Sequence, residues 1–99
     1  DDIIGVAADL DNNTITFYKN GVSQGSILIE PVSNTINREY FFALGDYGST
    51  EVTWEANFGN GYFGTTQVST PGTNASGNGI FEFNCPTGFT ALSTKGLNL

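Results

Sequence analysis

Histidine and methionine are missing from the 99-residue chain, and cysteine occurs once, as Cys85. Without histidine, neither a Ser–His nor a Cys–His nucleophilic pair can be built. Zinc centres made of Cys and His are excluded for the same reason, and a single cysteine cannot form a disulfide within the chain. The sequence therefore predicts a protein that is not an enzyme, uses no cofactor and holds no such metal. We interpret Cys85 as a small packed residue.

Basic residues are also scarce: three Lys and Arg stand against ten Asp and Glu, and the net charge is −7. The three cations, Lys19, Arg38 and Lys95, form no run. Phosphate backbones are bound by clustered cations, so we expect no nucleic acid partner and no anionic membrane partner. No apolar stretch approaches the roughly 20 residues of a membrane-spanning helix, which predicts no membrane insertion.

Glycine and aromatic residues are plentiful, at 13 residues and 13% of the chain. They suit tight turns between short, aromatic-rich strands, and helix-forming residues are few. A domain of this size buries roughly 65% of the surface that its unfolded chain exposes, enough for one small core. The composition predicts one all-β domain over residues 1–99, with an antiparallel β-sandwich or barrel as its architecture.

The clearest local pattern lies in residues 2–29. An apolar run over residues 3–8 ends in the turn-forming residues 9–13, and residues 14–19 then alternate between apolar and polar. The dipeptide Asn20-Gly21 follows and is typical of a type I′ hairpin turn. The chain can then return as a third strand that ends near Ile29. This order predicts a three-stranded antiparallel meander.

The second half predicts further strands. Residues 40–44 form a short apolar run, which indicates a strand buried on both faces. Residues 51–58 alternate strictly, with Trp54 and Phe58 on the predicted inner face and Glu55 on the outer face. Residues 59–79 are rich in Gly, Thr, Ser and Asn and are predicted to form a long loop. A turn is predicted at residues 86–88.

Two acidic motifs were weighed as sites of chemistry. Asp9-x-Asp11-x-Asn13 has the first spacings of a calcium loop, but an EF-hand needs Gly and Glu where this chain has Thr14 and Asn20. We interpret the motif as a hairpin turn, and a weak calcium site that uses other loops stays an alternative. A pair of glutamates four residues apart on one strand lies roughly 13 Å apart, too far for the roughly 5–9.5 Å of glycosidase carboxyls. We interpret Glu51 and Glu55 as a solvated face.

Four strings in order carry a resemblance to a known family: IIGVAADLDNNTITFYKNGVSQG, YFFALGD, EVTWEANFG and PTGFTAL. They resemble the C-terminal part of a SPRY-like, concanavalin-like domain. That family has a strand reading IGV-x-LDLD, a hairpin T-x-FYKNG, a strand ending in NFG and a closing P-x-GF-x-x-L. The likeness covers most of residues 2–58 and 86–92. Its ending, GFTALSTKGLNL, is similar to SPRY-like domains of bacteriophage virion proteins.

The chain departs from the family pattern in two ways. It has an insertion at about residues 60–79, where the family passes from NFG to P-x-GF in about ten residues. The N-terminal strands that complete the family's sandwich are not part of this sequence. The resemblance therefore implies a partial domain, completed either by a longer chain or by a partner. It implies a general binding role and no catalytic residues.

Two functions follow as expectations. The first is a virion module, such as a capsid decoration, fibre or tail adhesin domain, that assembles with other protein chains or as a homo-oligomer and contacts a host surface. Its location would be the virion surface or the extracellular space. The second is a lectin-like module that binds a cell-surface glycan. Loop residues are the candidate ligand contacts in both cases: Asp46, Tyr47, Tyr62 and Phe63.

Overall fold

A computed structural model describes residues 1–31, 39–73 and 79–92 of the chain. Within these ranges the protein is all-β, its paired strands are antiparallel, and no helix is present. No helix in the described ranges is therefore long and apolar enough to cross a membrane. The all-β, antiparallel class predicted from composition is confirmed.

The N-terminal third forms the predicted meander. Its strands are β1 (Ile4–Asp9), β2 (Thr14–Lys19) and β3 (Val22–Leu28), in the spatial order β1-β2-β3. Val6 pairs with Phe17 across β1 and β2, and β2 pairs with β3 in an antiparallel register. A register shift near Phe17 sets that one residue opposite two residues of β3, which is a β-bulge. The prediction of three strands within residues 2–29 is confirmed.

Both turns of the meander are held by short polar side chains. Oδ1 of Asp9 accepts hydrogen bonds from the backbone N–H groups of Asp11 (3.1 Å) and Asn12 (3.0 Å), which is the geometry of an Asx turn. Asn20 (φ 49°) and Gly21 (φ 82°) have positive φ, as a type I′ turn requires at both central positions. The tight connections explain why neighbouring strands pair in this region.

Alternation divides the meander into two faces. Residues on opposite strands that pair directly project to the same side, so the registers assign each side chain. One side, which we call the apolar face, carries Ile4, Val6, Ala8, Ile15, Phe17, Lys19, Val22 and Ile27. The opposite face carries Gly5, Ala7, Thr14, Thr16, Tyr18, Ser23, Ser26 and Leu28. A hydrogen bond of 2.6 Å between the hydroxyls of Thr16 and Ser26 lies on that opposite face.

The second half is built from strands of two residues. β4 (Tyr62–Phe63) pairs with β5 (Thr66–Gln67), and β6 (Gly72–Thr73) pairs with β7 (Ile80–Phe81), both antiparallel. The predicted long loop over residues 59–79 thus contains short paired strands in its described part. A two-residue turn at Gly64-Thr65 closes the β4–β5 hairpin.

The predicted strands at residues 40–44 and 51–58 do not form in the structure. Phe41 is 82% exposed and Trp54 is 47% exposed, whereas both were expected to be buried. Glu55 is exposed as well, so the predicted division into inner and outer faces does not hold. An alternating sequence favours a strand only when a neighbour pairs with its backbone. No described strand pairs with either segment.

The buried apolar residues of the described chain are few and small: Ala7, Val68 and Ala91. No large side chain in this part of the chain is fully buried. Packing is close at Gly59 (φ 106°), where a Cβ would lie 2.8 Å from the Cβ of Ala91 and 3.2 Å from the Cα of Gly79. Only glycine fits that close approach. The packing therefore consists of small local contacts, and no second layer covers the apolar face within the described residues.

Candidate functional site

The first pair of candidate residues lies in the irregular segment after residue 44. Tyr47 is fully exposed, with a relative accessibility of 106%, and Asp46 beside it is exposed too. A tyrosine ring held in solvent offers an apolar surface and a hydroxyl at once. This pair is accessible to a ligand.

The second pair lies in the short hairpin of β4 and β5. Oδ1 of Asn60 accepts a hydrogen bond of 3.1 Å from the N–H of Tyr62, and Tyr62 pairs with Gln67 across the hairpin. Tyr62 is exposed and Phe63 is half-buried, as expected of consecutive residues on a strand. Among the described residues, no hydrogen bond or ring contact joins this pair to Asp46 and Tyr47. The structure does not bring the four candidates into one site.

An accessible apolar surface lies on the part of the chain that was predicted to form strands at residues 40–44 and 51–58 but does not. We call residues 40–58 the aromatic segment. The rings of Phe42 and Phe58 meet edge to face, with centroids 5.3 Å apart and an interplanar angle of 86°. The hydroxyl of Tyr40 donates to the backbone oxygen of Glu30 and so ties the start of the segment to the end of the meander. Its exposed large apolar residues are Tyr40, Phe41, Phe42, Leu44, Tyr47, Val52, Trp54 and Phe58.

The apolar face of the meander is the second accessible surface. Phe17 and Val6, at the middle of the sheet, are 38% and 44% exposed. Val22, Ile27 and Ile4 are half exposed or more. Ordinary soluble monomers bury such a sheet face against another layer, and exposed contiguous apolar patches are typical of interaction sites.

One cation lies on the apolar face, and it is paired. Nζ of Lys19 is 3.0 Å from Oδ2 of Asp2, and both side chains are about half exposed. The pKa of Asp2 is lowered first by a hydrogen bond from the Asn20 side chain and then by Lys19. The pair is exposed and contributes little to stability, but it removes the positive charge that this face would otherwise present.

The second half is joined by polar side chains that bond to the backbone. Asn57 donates from Nδ2 to the oxygen of Ile80 (3.0 Å) and accepts from the N–H of Gly59 (2.7 Å). Glu82 accepts from the N–H of Ser69 (2.7 Å) and from its hydroxyl. These two bonds, the hydroxyl first, lower the pKa of the Glu82 carboxyl. Their partners are all structural, so this network connects segments and offers no free group for chemistry.

The remaining ionisable groups do not converge. In the described part of the chain, no group of three or more Cys, Asp and Glu side chains is placed to hold a metal ion. The carboxylate of Glu55 lies against the Gly64 turn, where a Cβ would be 2.7 Å from its Oε1. Burial raises the pKa of the half-buried Cys85 thiol, which keeps it protonated at neutral pH. The described geometry offers accessible surfaces and no arrangement that resembles a catalytic centre.

Sequence reasoning placed the candidate ligand contacts on loops and did not name the residues of the apolar face. The signal was present, because Ile4, Val6, Ile15 and Phe17 alternate with polar or small residues. The resemblance to part of a sandwich predicts such an uncovered face, because the strands that would cover it are not part of this sequence. Comparison with known proteins found no matching family model, no matching curated protein and no matching solved structure.

Proposed function

We propose that the chain is a non-catalytic structural and binding module of a virion surface, in which other protein chains cover its apolar face. The observation that carries this proposal is the exposure of most of one face of the three-stranded sheet, including Val6 and Phe17 midway along β1 and β2. Burying one such side chain completely stabilises a protein by roughly 1.5–3 kcal/mol. A partner that covers the face therefore gains a substantial driving force for association.

The charge distribution of the chain distinguishes between a protein partner and a nucleic acid partner. The chain carries a net charge of −7, while the apolar face holds only the paired cation Lys19. Interfaces between protein chains have such apolar centres with charged residues at the rim, whereas nucleic acid interfaces are rich in cations. These features favour a protein partner over a nucleic acid.

The sandwich architecture belongs to the same proposal. Two sheets that pack face to face lie about 10 Å apart and bury alternating side chains between them. The apolar face of the meander has the alternation that one half of such a sandwich needs. We propose that the partner supplies the second sheet, which completes a SPRY-like, concanavalin-like sandwich.

The virion role rests on the resemblance of the ordered strings to SPRY-like domains of phage virion proteins. The meander described above contains the longest of those strings. A capsid decoration, fibre or tail adhesin domain works by assembly and surface contact, and a sheet with an uncovered apolar face suits that role. The proposed location is the virion surface or the extracellular space.

The test uses two substitutions on neighbouring residues of β3. Ile27→Lys places a charge on the apolar face, and Leu28→Lys places the same charge on the opposite face, where Leu28 is also largely exposed. Virus particles are purified from the culture that produces the chain or its variant, and their protein content is determined by mass spectrometry. We expect the wild-type chain and Leu28→Lys to be incorporated into particles, and Ile27→Lys to be lost from them. Equal incorporation of both variants, or no wild-type chain in particles, contradicts the proposal.

A second function, binding of a cell-surface glycan, is favoured by the fully exposed Tyr47 beside Asp46. Sugars stack on exposed aromatic rings while neighbouring carboxylates accept hydrogen bonds from their hydroxyls. A glycan array tests it directly, with Tyr47→Ala as the disabling variant and Tyr40→Ala, whose hydroxyl is bonded to Glu30, as the control. Binding that survives Tyr47→Ala excludes this residue as a stacking platform.

A further inference from the structure

The two edges of the meander differ in how open they are to another strand. On the β3 edge, the bulge interrupts the ladder, and a side chain is bonded to a backbone N–H group. The Ser23 hydroxyl accepts from the N–H of Gly25 (3.2 Å). Bulges and side chains of this kind block edge pairing. The β1 edge has no bulge and, in the described part of the chain, no side chain bonded to the backbone of residues 4–8.

The hydrogen-bond pattern identifies the free groups on β1. The N–H of Asn20 donates to the oxygen of Ile3 (2.8 Å), which marks Ile3 and Asn20 as a hydrogen-bonded pair. In an antiparallel ladder such pairs alternate, so Gly5, Ala7 and Asp9 also turn their backbone groups toward β2. Ile4, Val6 and Ala8 therefore turn theirs outward, to the open edge. These same three residues project their side chains onto the apolar face.

We propose that a second copy of the chain pairs with this edge, β1 against β1, in an antiparallel register with Val6 opposite Val6 and Ile4 opposite Ala8. This register satisfies the outward N–H and C=O groups of three residues in each copy, with two hydrogen bonds for each of three pairs. It yields one continuous six-stranded sheet in which the two apolar faces join on one side. The inference rests on the proposed assembly role and names one partner in it.

Charge favours the antiparallel direction of pairing. Lys19 reaches Asp2 at the start of β1, and the acidic turn with Asp9 and Asp11 lies at its other end. Antiparallel pairing brings the Lys19 end of one copy beside the acidic turn of the other. Parallel pairing would set two acidic turns side by side. In the antiparallel register each edge residue meets a residue of the same edge in the other copy, which is the condition for a two-fold dimer.

Cysteine cross-linking tests the register in the full 99-residue chain, with Cys85→Ser as the background. Hydrogen-bonded antiparallel pairs have Cα atoms about 5.5 Å apart, within the range that a disulfide spans, whereas sheets stacked face to face are about 10 Å apart. We expect Val6→Cys to form a disulfide-linked dimer under mild oxidation. A mixture of Ile4→Cys and Ala8→Cys should yield the mixed dimer, and each of these two variants alone should stay mostly uncross-linked. Ile27→Cys, on the far edge, is the matched control that should not cross-link.

Mass measurement by light scattering supplies the second readout. We expect the wild-type chain to have twice the 10.5 kDa of one copy, and Val6→Lys and Val6→Glu to be monomers when alone. An equimolar mixture of the two should regain the dimer mass, because opposite charges then meet at the two-fold axis. A monomeric wild-type chain overturns the inference, and so does a dimer that the cysteines at positions 4, 6 and 8 do not capture. Incorporation into particles without β1 cross-linking would support the proposed function and reject this edge, so the two failures are distinguishable.

Discussion

The meander and the second half of the described chain contain similar residues, but only the meander forms long strands. β1, β2 and β3 are six or seven residues long, while β4 to β7 have two residues each. In the meander, two well-formed turns bring each strand beside the next. In the aromatic segment, residues 45–50 separate two apolar stretches without setting them in register. The difference indicates that alternation becomes a strand here only where a tight turn supplies the partner.

The two regions are also held together in different ways. The meander is joined by backbone ladders, with side chains such as Asp9 and Asn20 confined to the turns. The second half depends on side chains that bridge distant backbone groups, namely Asn57 to Ile80 and Glu82 to Ser69. It follows that a single substitution in the second half can disconnect several segments, whereas the meander should resist most surface changes.

The largest effect is expected at the close contact of the second half. Gly59→Ala combines a positive φ with a Cβ 2.8 Å from the Cβ of Ala91, and strain and overpacking together should lower the free energy of unfolding by about 3 kcal/mol. Hydrogen exchange should rise in residues 57–61 and 79–92 while residues 4–28 stay protected. Gly45→Ala, where a Cβ meets no atom within 4 Å, is the control and should have little effect. A loss of protection in the meander as large as in the second half would remove the distinction between the two regions.

A smaller effect is expected where the two regions touch. A Cβ on Gly21 would lie 2.7 Å from Cδ1 of Phe83, at φ 82°, so Gly21→Ala should cost about 2 kcal/mol in backbone strain and lost packing. Gly25→Ala also has a positive φ but meets nothing within 4 Å, so it isolates the backbone strain. A double-mutant cycle of Gly21→Ala with Phe83→Ala, read by denaturant unfolding, measures the contact. Additive effects would show that Phe83 does not connect the regions.

Trp54→Ala should have a modest effect. A fully buried aromatic residue costs about 3–5 kcal/mol when truncated to Ala, but Trp54 is 47% exposed. We therefore expect a loss of about 1 kcal/mol from reduced burial, with Thr53→Ala as a neighbouring control near zero. Thermal unfolding followed by circular dichroism is sufficient. A loss above about 3 kcal/mol would restore the sequence-based prediction that Trp54 belongs to the core.

The smallest effect is expected from acid. The pKa values of Glu82 in the second half and Asp9 in the meander are both lowered by hydrogen bonds to the ionised carboxylate. A lowered carboxyl pKa stabilises the fold above the unfolded pKa, and this contribution is lost as the pH falls below about 4. The protection factor of the Ser69 amide, which corrects for the slower intrinsic exchange in acid, should fall as the pH is lowered, and Glu82→Gln should remove that pH dependence. If the Glu82→Gln variant keeps the pH dependence of the Ser69 amide, a different ionisable group causes it.

The difference between the two regions also explains which parts of the fold could be predicted from the sequence. The meander was predictable because Asn20-Gly21 and the Asp9 turn fix the pairing locally, and the apolar and polar residues alternate in register. The absence of a strand at residues 51–58 was not predictable, because an alternating pattern does not show whether another strand is available to pair with it. Of the four candidate contacts, Tyr47 is fully exposed and Tyr62 lies in the β4–β5 hairpin, which the residue composition of that segment did not indicate. Which distant segments pair depends on their arrangement in three dimensions, and a single sequence does not specify that arrangement.

The tight connections of the meander have a consequence for folding kinetics. Its paired residues are separated by only 5 residues at Asp9 and Thr14 and by 15 at Ile4 and Lys19, whereas the bond from Asn57 to Ile80 spans 23 residues. Hairpins close in roughly 1–10 μs, and contacts between distant residues form more slowly because loop closure must come first. We expect the meander to form early and the second half to wait for its long-range bonds. During that interval the meander already exposes its apolar face and its open β1 edge, so another chain can bind to it before the second half has formed.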